Sequence, residues 1–306
     1  MSLTHRTDFD TTTNKDLLRG GLRKIFDSTQ KTIETYYSNM FNVLTTDQKV
    51  ERDIRMAGLG LAEVKEEGAP TALQEMKLDT TKEYTQITYG TGFAITQEMK
   101  KFNKFKQMEK LTKSLARSMK LTKDIKVAAL WNSPTATYTG YDGFALGYAS
   151  HTCLDDASST YDNIYSAALS TTGIETGLLY FKKMKDDQGQ YTISVTPDTL
   201  YFEPTQMFTA DILFGSNGMP FEESNSKNPY SKFGIKQFPY IRLTSTTAWG
   251  LLCKKDELFD VNVFTSMEPD MKVEDAADRS RDTIVTSNEM YTFGFGDARM
   301  CWIGNT

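Results

Sequence analysis

The chain has 306 residues, 39% hydrophobic and 12% aromatic, enough apolar surface for a sizeable core and too much for global disorder. A formal charge of −5 argues against a protein whose whole surface grips nucleic acid. No apolar run suffices to cross a bilayer and the start, Met1-Ser2-Leu3-Thr4-His5-Arg6, lacks a signal-peptide stretch, so a protein made and kept in a cytosol is expected.

No short repeat, heptad or low-complexity tract appears, which excludes solenoids and simple fibres. Residues 11–44 read as a polar arm with helical pieces. Leu18, Leu22, Ile25 and Phe26 mark one apolar face, and Ile33, Tyr36, Tyr37, Met40 and Phe41 mark another. An arm of that size cannot bury both faces on itself and must lie on something else. Over residues 48–96 the segments Arg55–Leu61 and Tyr84–Tyr89 are strand-like, the first weakened by its glycines. Between them lies an acidic, turn-prone tip with Glu63, Glu66, Glu67, Gly68, Pro70 and Glu75. The expected structure is a long hairpin-like loop without a core of its own. It is either a surface insertion or an arm that packs on a neighbouring subunit.

Thr96 opens a long helix with Glu98 in its first turn. Phe105, Met108, Leu111, Leu115 and Met119 form its apolar stripe, and Lys106, Lys110, Lys113, Arg117 and Lys120 repeat on the opposite side. The pattern runs through Ile125 to Leu130, and Pro134 stops it. After a Gly/Tyr/Ser-rich stretch, Ser170 or Thr171 caps a helix with Ile174, Leu178 and Phe181 on its core face, ended by Gln188-Gly189. A strand at Leu200–Phe202 precedes a helix from Pro204 to Phe214, and residues 215–230 form a loop. The rest is β-rich, with strands at Phe238–Leu243, Ala248–Cys253 and Met290–Trp302. The sum is an α+β protein with a long helix, two projecting arms and a mixed body.

That order of parts resembles the major capsid (head) proteins of tailed bacteriophages with the Hong Kong 97-type fold, nearest in look to the major head protein of Mu-like phages. The likeness rests on Gly92-Phe93-Ala94-Ile95-Thr96-Gln97-Glu98-Met99 at the loop-to-helix junction and on Tyr141-Asp142-Gly143-Phe144-Ala145-Leu146 with Ser150-His151-Thr152. Pro197–Pro204 with Ala210-Asp211-Ile212-Leu213, Leu243–Trp249 and Gly294–Arg299 complete it. The resemblance implies an N-terminal arm (1–47), an extended loop (48–96), a spine helix with the first part of a peripheral domain (97–190), an axial domain (191–260) and returning peripheral strands (261–306). It further implies a structural protein that assembles into pentamers and hexamers of an icosahedral head enclosing double-stranded DNA. Portal, scaffold and decoration proteins are the partners it implies, and a virion assembled in host cytoplasm is the location.

Three separated cysteines (Cys153, Cys253, Cys301) and two histidines give no zinc or disulfide pattern, and no metal, cofactor or catalytic residue is expected. His151 lacks a catalytic partner, because Cys153 lies too close for an ordinary His/Cys pair. Asp155-Asp156 and Asp186-Asp187 lack calcium-loop spacing. Gly58-Leu59-Gly60 and Gly294-Phe295-Gly296 match neither a P-loop nor GxGxxG before a helix. The basic stripe is read as a solvated face, as a surface under the acidic loop of a neighbour, or as a non-specific contact with packaged DNA. Some members of the resembled family bond a loop lysine to a neighbour's asparagine. Lys65, Lys77 and Lys82 lie on that element, but nothing identifies the asparagine, and the reaction is not assigned. Two alternatives stand beside the capsid reading: an encapsulin-like nanocompartment shell and a nucleic-acid-processing enzyme.

Overall fold

A computed structural model describes residues 12–56, 58–74, 78–102, 104–153, 159–186, 188–215, 218, 227–275 and 282–304. The chain begins with helix α1 (Thr12–Thr32), where Leu22 and Phe26, one turn apart, are buried while Arg23, Lys24 and Asp27 face solvent. The second apolar face expected at Ile33–Phe41 is not an α-helix. The Asp124 carboxylate accepts the backbone N–H groups of Tyr36 and Tyr37 at 2.9 and 3.0 Å, so those donors do not continue α1. A single 3₁₀ turn at Tyr37–Asn39 results, with Tyr37, Met40 and Phe41 buried in the body. Strand β1 (Asn42–Thr45) follows.

Strands β2 (Val50–Met56) and β3 (Leu78–Thr85) pair antiparallel, from Val50 opposite Thr85 to Met56 opposite Leu78. The strand expected at Arg55–Leu61 therefore stops at Met56, ahead of Gly58 and Gly60, which offer no side chain to pack and lose the most entropy on ordering. The strand expected at Tyr84–Tyr89 is divided at Gln86, whose N–H turns to the Lys49 carbonyl, and β4 (Ile87–Ile95) continues into the body.

Thr96 caps helix α2 (Gln97–Lys101), its hydroxyl accepting from the Met99 N–H at 3.3 Å. The long helix expected from there is interrupted. The Lys104 N–H turns back to the Met99 carbonyl and Lys104 takes ψ 46°, outside the helical region, before α3 (Phe105–Val127) begins. Helix α4 (Ala129–Asn132) ends two residues before Pro134. On α3 the buried sector holds Met108, Thr112, Leu115, Ala116, Met119, Lys123 and Val127. Phe105 and Leu111, expected in the stripe, are exposed. Leu111 sits about 60° around the helix from Met108, on the flank away from Thr112 and Ala116, and Phe105 lies in the first turn, before the covered length.

Short strands β5 (His151–Thr152), β6 (Thr160–Tyr161) and β7 (Ile164–Tyr165) lead to α5 (Thr171–Lys183). Ser170 caps α5 by accepting from the Gly173 N–H at 3.2 Å, and Ile174, Leu178 and Phe181 are buried. The helix ends at Lys183, earlier than Gln188-Gly189, which instead form a turn with Gly189 at φ +70°. Strand β8 (Thr199–Phe202), a 3₁₀ turn opened by Pro204 and α6 (Met207–Gly215) follow, then β9 (Lys236–Pro239) and β10 (Trp249–Leu252). Strand β9 stops at Pro239, short of the expected Leu243. The Tyr240 carbonyl then accepts from the Leu243 N–H in a turn. Strand β11 (Val261–Asp275) occupies a stretch of the expected returning strands where the periodicity itself marks none. The segment expected as one strand, Met290–Trp302, is two: β12 (Thr283–Phe295) ends before a turn at 296–300, and β13 (Cys301–Gly304) enters another sheet.

The four-stranded sheet has the order β1-β11-β12-β4, with β1 parallel to β11 and the other pairs antiparallel. The five-stranded sheet has the order β7-β13-β10-β8-β9, and all four residues of each of β8, β10 and β13 are buried. Such continuous burial explains why Trp249–Leu252 reads as an unbroken apolar run. Helix α5 comes close to this sheet because Gly173 and Gly177 lack side chains: a Cβ at either would lie 2.8 Å from Trp249 or Leu251. The main core joins this sheet to α4, α5, α6 and the Tyr37–Phe41 turn. A smaller core gathers Leu22, Phe26, Ile95, Met108, Leu115, Ala116, Met271 and Val285. The first helix of the N-terminal segment is thus buried on its own chain's α3.

Candidate assembly surfaces

The β2–β3 loop is inside out. Successive strand residues point to opposite faces, and in β2 the charged Asp53 and Arg55 turn toward the body while Ile54 and Met56 are exposed. Leu78, opposite Met56, is exposed as well, and so are Leu59, Leu61, Val64 and Leu73 in the tip, the last two at 95% and 93%. Glu63, Glu66 and Glu67 lie exposed among them, with Gly68 at φ +79° making the turn. Glu75 and Lys77 lie outside the described residues. The body holds the loop at two places. Midway, Gln188 donates to the Gly58 carbonyl at 2.8 Å and Gln190 Oε1 accepts from the Leu61 N–H at 3.2 Å. At the root, Arg55, 8% exposed, reaches Asp297 at 3.9 Å and Lys82 donates to the Thr139 carbonyl at 2.5 Å.

Asp297 also takes the Arg299 guanidinium at 2.5 Å. Burial alone would raise its pKa, but the two guanidiniums outweigh that and hold the carboxyl down at about 2. Asp260 beside it shows the opposite balance, its carboxyl pushed up to about 6 by burial and by the negative charges of Asp53 and Asp297.

Helix α3 presents Lys106, Lys110, Lys113 and Arg117 to solvent, while Lys120 is half-buried at a groove lined by Asp27, Gln30, Lys31, Glu268 and Pro269. Lys113 pairs with Glu109 one turn back at 2.7 Å. Among the described residues no ion pair joins Glu63, Glu66 or Glu67 to this stripe within the chain.

Polar groups that the sequence reading passed over fix α3 in the body. Lys123 donates to Glu289 at 2.6 Å and to Thr265 at 3.1 Å, and it lies over the Tyr37 and Tyr291 rings at 5.6 and 5.1 Å. Burial raises the Glu289 pKa, and Lys123 counteracts it. Asp124, besides capping the Tyr36–Tyr37 turn, accepts from Arg242 at 2.7 Å. The available signal was a charge at 123, one turn after Met119 on the buried face.

His151 is fully buried, its Nδ1 2.5 Å from Asp142 and its ring stacked on Tyr161 at 4.9 Å. Burial raises the Cys253 thiol to about 11 and raises Cys301 as well, which disfavours the nucleophilic thiolate at both. Asp186 accepts from the Gln190 N–H at 2.7 Å in a turn, while Asp155, Asp156 and Asp187 lie outside the described residues. Gly58 and Gly60 lie in the loop, and among the described residues no helix follows Gly294-Phe295-Gly296. Among the described residues no cluster of His, Cys, Asp and Glu is placed to hold a metal ion, and no helix is long and apolar enough to cross a membrane.

A long helix braced by a sheet, a second sheet beside it and a projecting loop make up an α+β subunit of the Hong Kong 97-type fold. Solved structures share this fold. The procapsid of bacteriophage JBD30 matches with TM-score 0.56 and 12% identity over 96% of this chain and 75% of that one. Microbacterium phage Oxtober96 matches with TM-score 0.54 and 9% identity over 89% and 92%. A virus-like particle from Pyrococcus furiosus matches with TM-score 0.52 and 8% identity over 93% and 97%. No curated protein matches the sequence significantly. The family model described as phage capsid protein matches residues 79–303, and the chain belongs to that family. It is a structural capsid protein of a phage and not an enzyme, and the family favours this over the encapsulin-like alternative.

Proposed function

We propose that the chain is the repeating subunit of a closed icosahedral head around double-stranded DNA, assembled from pentamers and hexamers, with the extended loop lying on a neighbouring copy. In this reading α3 and the four-stranded sheet form the peripheral part of the subunit and the five-stranded sheet the axial part. The observation that carries it is the inverted loop. Ile54, Met56, Leu59, Leu61, Val64, Leu73 and Leu78 are exposed together on one projection of the chain. Fully covering a large apolar side chain contributes about 1.5–3 kcal/mol, so a neighbour covering this set gains on the order of ten kcal/mol before association costs.

The loop acids Glu63, Glu66 and Glu67 complement Lys106, Lys110 and Lys113 of the next subunit, beside the exposed Phe102, Phe105 and Leu111. Each exposed pair contributes only about 0–1 kcal/mol, so the charges set register and salt sensitivity more than strength. Packaged DNA competes for the same stripe, because a lysine under a neighbour's loop cannot also face the lumen. Charge reversal at Glu63, Glu66 and Glu67 is expected to block particle formation seen by electron microscopy and light scattering, and reversal of Lys106, Lys110 and Lys113 to restore it. Failure of the combined reversal, with each variant folded, removes the direct pairing.

A further inference from the structure

The root of the extended loop holds more acid than its partners neutralise. Asp53 projects from β2 toward the body, where the Tyr141 hydroxyl hydrogen-bonds to it. Asp260, at the start of β11, faces both Asp53 and Asp297. Asp297 engages the two guanidiniums nearby, Arg55 from β2 and Arg299 from the body. Asp260 is held by neutral donors: Asn262 at 2.5 Å, the Asp297 N–H at 3.2 Å and Tyr141. Among the described residues, the other charged or titratable groups at the root are Lys82, on β3 opposite Asp53, whose ammonium goes to Thr139, and Tyr84 of β3, which is buried. The site is tight: a Cβ at Gly296 would overlap the Asp260 carboxylate and the Tyr141 ring. Asp260 and Asp53 are both half-buried, so a charge at Asp260 is only partly screened by water while the root is closed.

We propose that Asp260 is a proton-operated catch for the extended loop: neutral, it lets Asp53 and β2 lie against the body, and ionised, it pushes β2 away. The sign follows from burial and from the facing carboxylates, which raise Asp260 from 3.8 to about 6 in the closed root. A raised acid binds its proton more tightly when closed than when open, so closure is favoured in full below about pH 4 and that advantage is lost as pH rises through about 6. The catch concerns the single chain and does not depend on the shell reading.

The test is hydrogen exchange of the unassembled full-length chain, read as protection of Val50–Met56 and Leu78–Thr85 after correction for intrinsic exchange. Between about pH 5 and about pH 7.5 the opening of these strands is expected to increase by up to about tenfold. Asp260→Asn should hold protection near the acid value at both pH values, and Asp53→Asn should reduce the dependence without abolishing it, because burial and Asp297 still raise Asp260. If Asp260→Asn does not fold, Asp53→Asn alone carries the comparison. Wild-type protection independent of pH overturns the proposal, and so does a dependence that persists unchanged in the folded variants. Because no assembly enters the measurement, failure here leaves the shell reading intact, and failure of the shell reading leaves the catch intact.

Discussion

Replacing Lys123 by methionine tests what ties the long helix to the four-stranded sheet. The ammonium bonds Glu289 of β12 and Thr265 of β11 and rests on two tyrosine rings, with the side chains of Lys123 and Glu289 only 4% and 2% exposed. Removing one partner of a buried pair costs about 3–5 kcal/mol, because the other charge stays buried without compensation. Lost cation–π contact adds about 0.5–2 kcal/mol, partly recovered by methionine sulfur on the same rings. Glu289, already raised by burial, rises further without Lys123 and escapes the penalty by taking a proton. Its folded pKa then exceeds its unfolded value, so the deficit is greatest at neutral pH and shrinks as pH falls through the folded pKa. The double variant Lys123→Met/Glu289→Met should recover most of the loss, since a well-packed apolar replacement of a buried pair is about neutral. Urea unfolding of the unassembled chain, followed by circular dichroism at two pH values, measures this. A single variant costing under about 1 kcal/mol, or a double variant no more stable than the single, would refute the reasoning.

Ile54→Asp with Leu78→Asp should leave subunit unfolding within about 0.5 kcal/mol, because both side chains are already in water, yet abolish particles by electron microscopy. Gly177→Ala places a Cβ 2.8 Å from Leu251 and 2.9 Å from Trp302, and should destabilise the subunit by about 1–3 kcal/mol in denaturant titration.

What could be read beforehand followed from local physics. Ser170 and Thr96 announced their helices because each hydroxyl caps within its own turn. Ile174, Leu178 and Phe181 kept helical period on one buried face. Strand β11 escaped because Pro269 and the acids around it hide the alternation, and because two register shifts break the period. The Ile33–Phe41 segment escaped because a side chain far along the chain, Asp124, takes its backbone donors. At the assembly surfaces, the acidic tip and the basic stripe were visible as composition. The inversion of β2 was not, since alternation reveals two faces but not which of them meets the body. The acids gathered around Asp260 come from Asp53, Asp260 and Asp297, and only the folded chain brings them together.

The β11–β12 ribbon has a mechanical consequence. One end, at Val261, Val263 and Phe295, is fixed in the main core, and the other, at Met271 and Val285, in the smaller one. Thirteen residues of β12 span about 40 Å at the usual strand rise, so this ribbon is a beam that joins the two cores. Its ladder is interrupted at Thr265–Asp270, where bulged pairing loosens the hydrogen bonds and increases twist. Helix α3 bridges the same two cores, from Met108 in the smaller to Val127 in the main one, so ribbon and helix share the load between them. The interrupted ladder is the point at which the ribbon can bend without repacking either core.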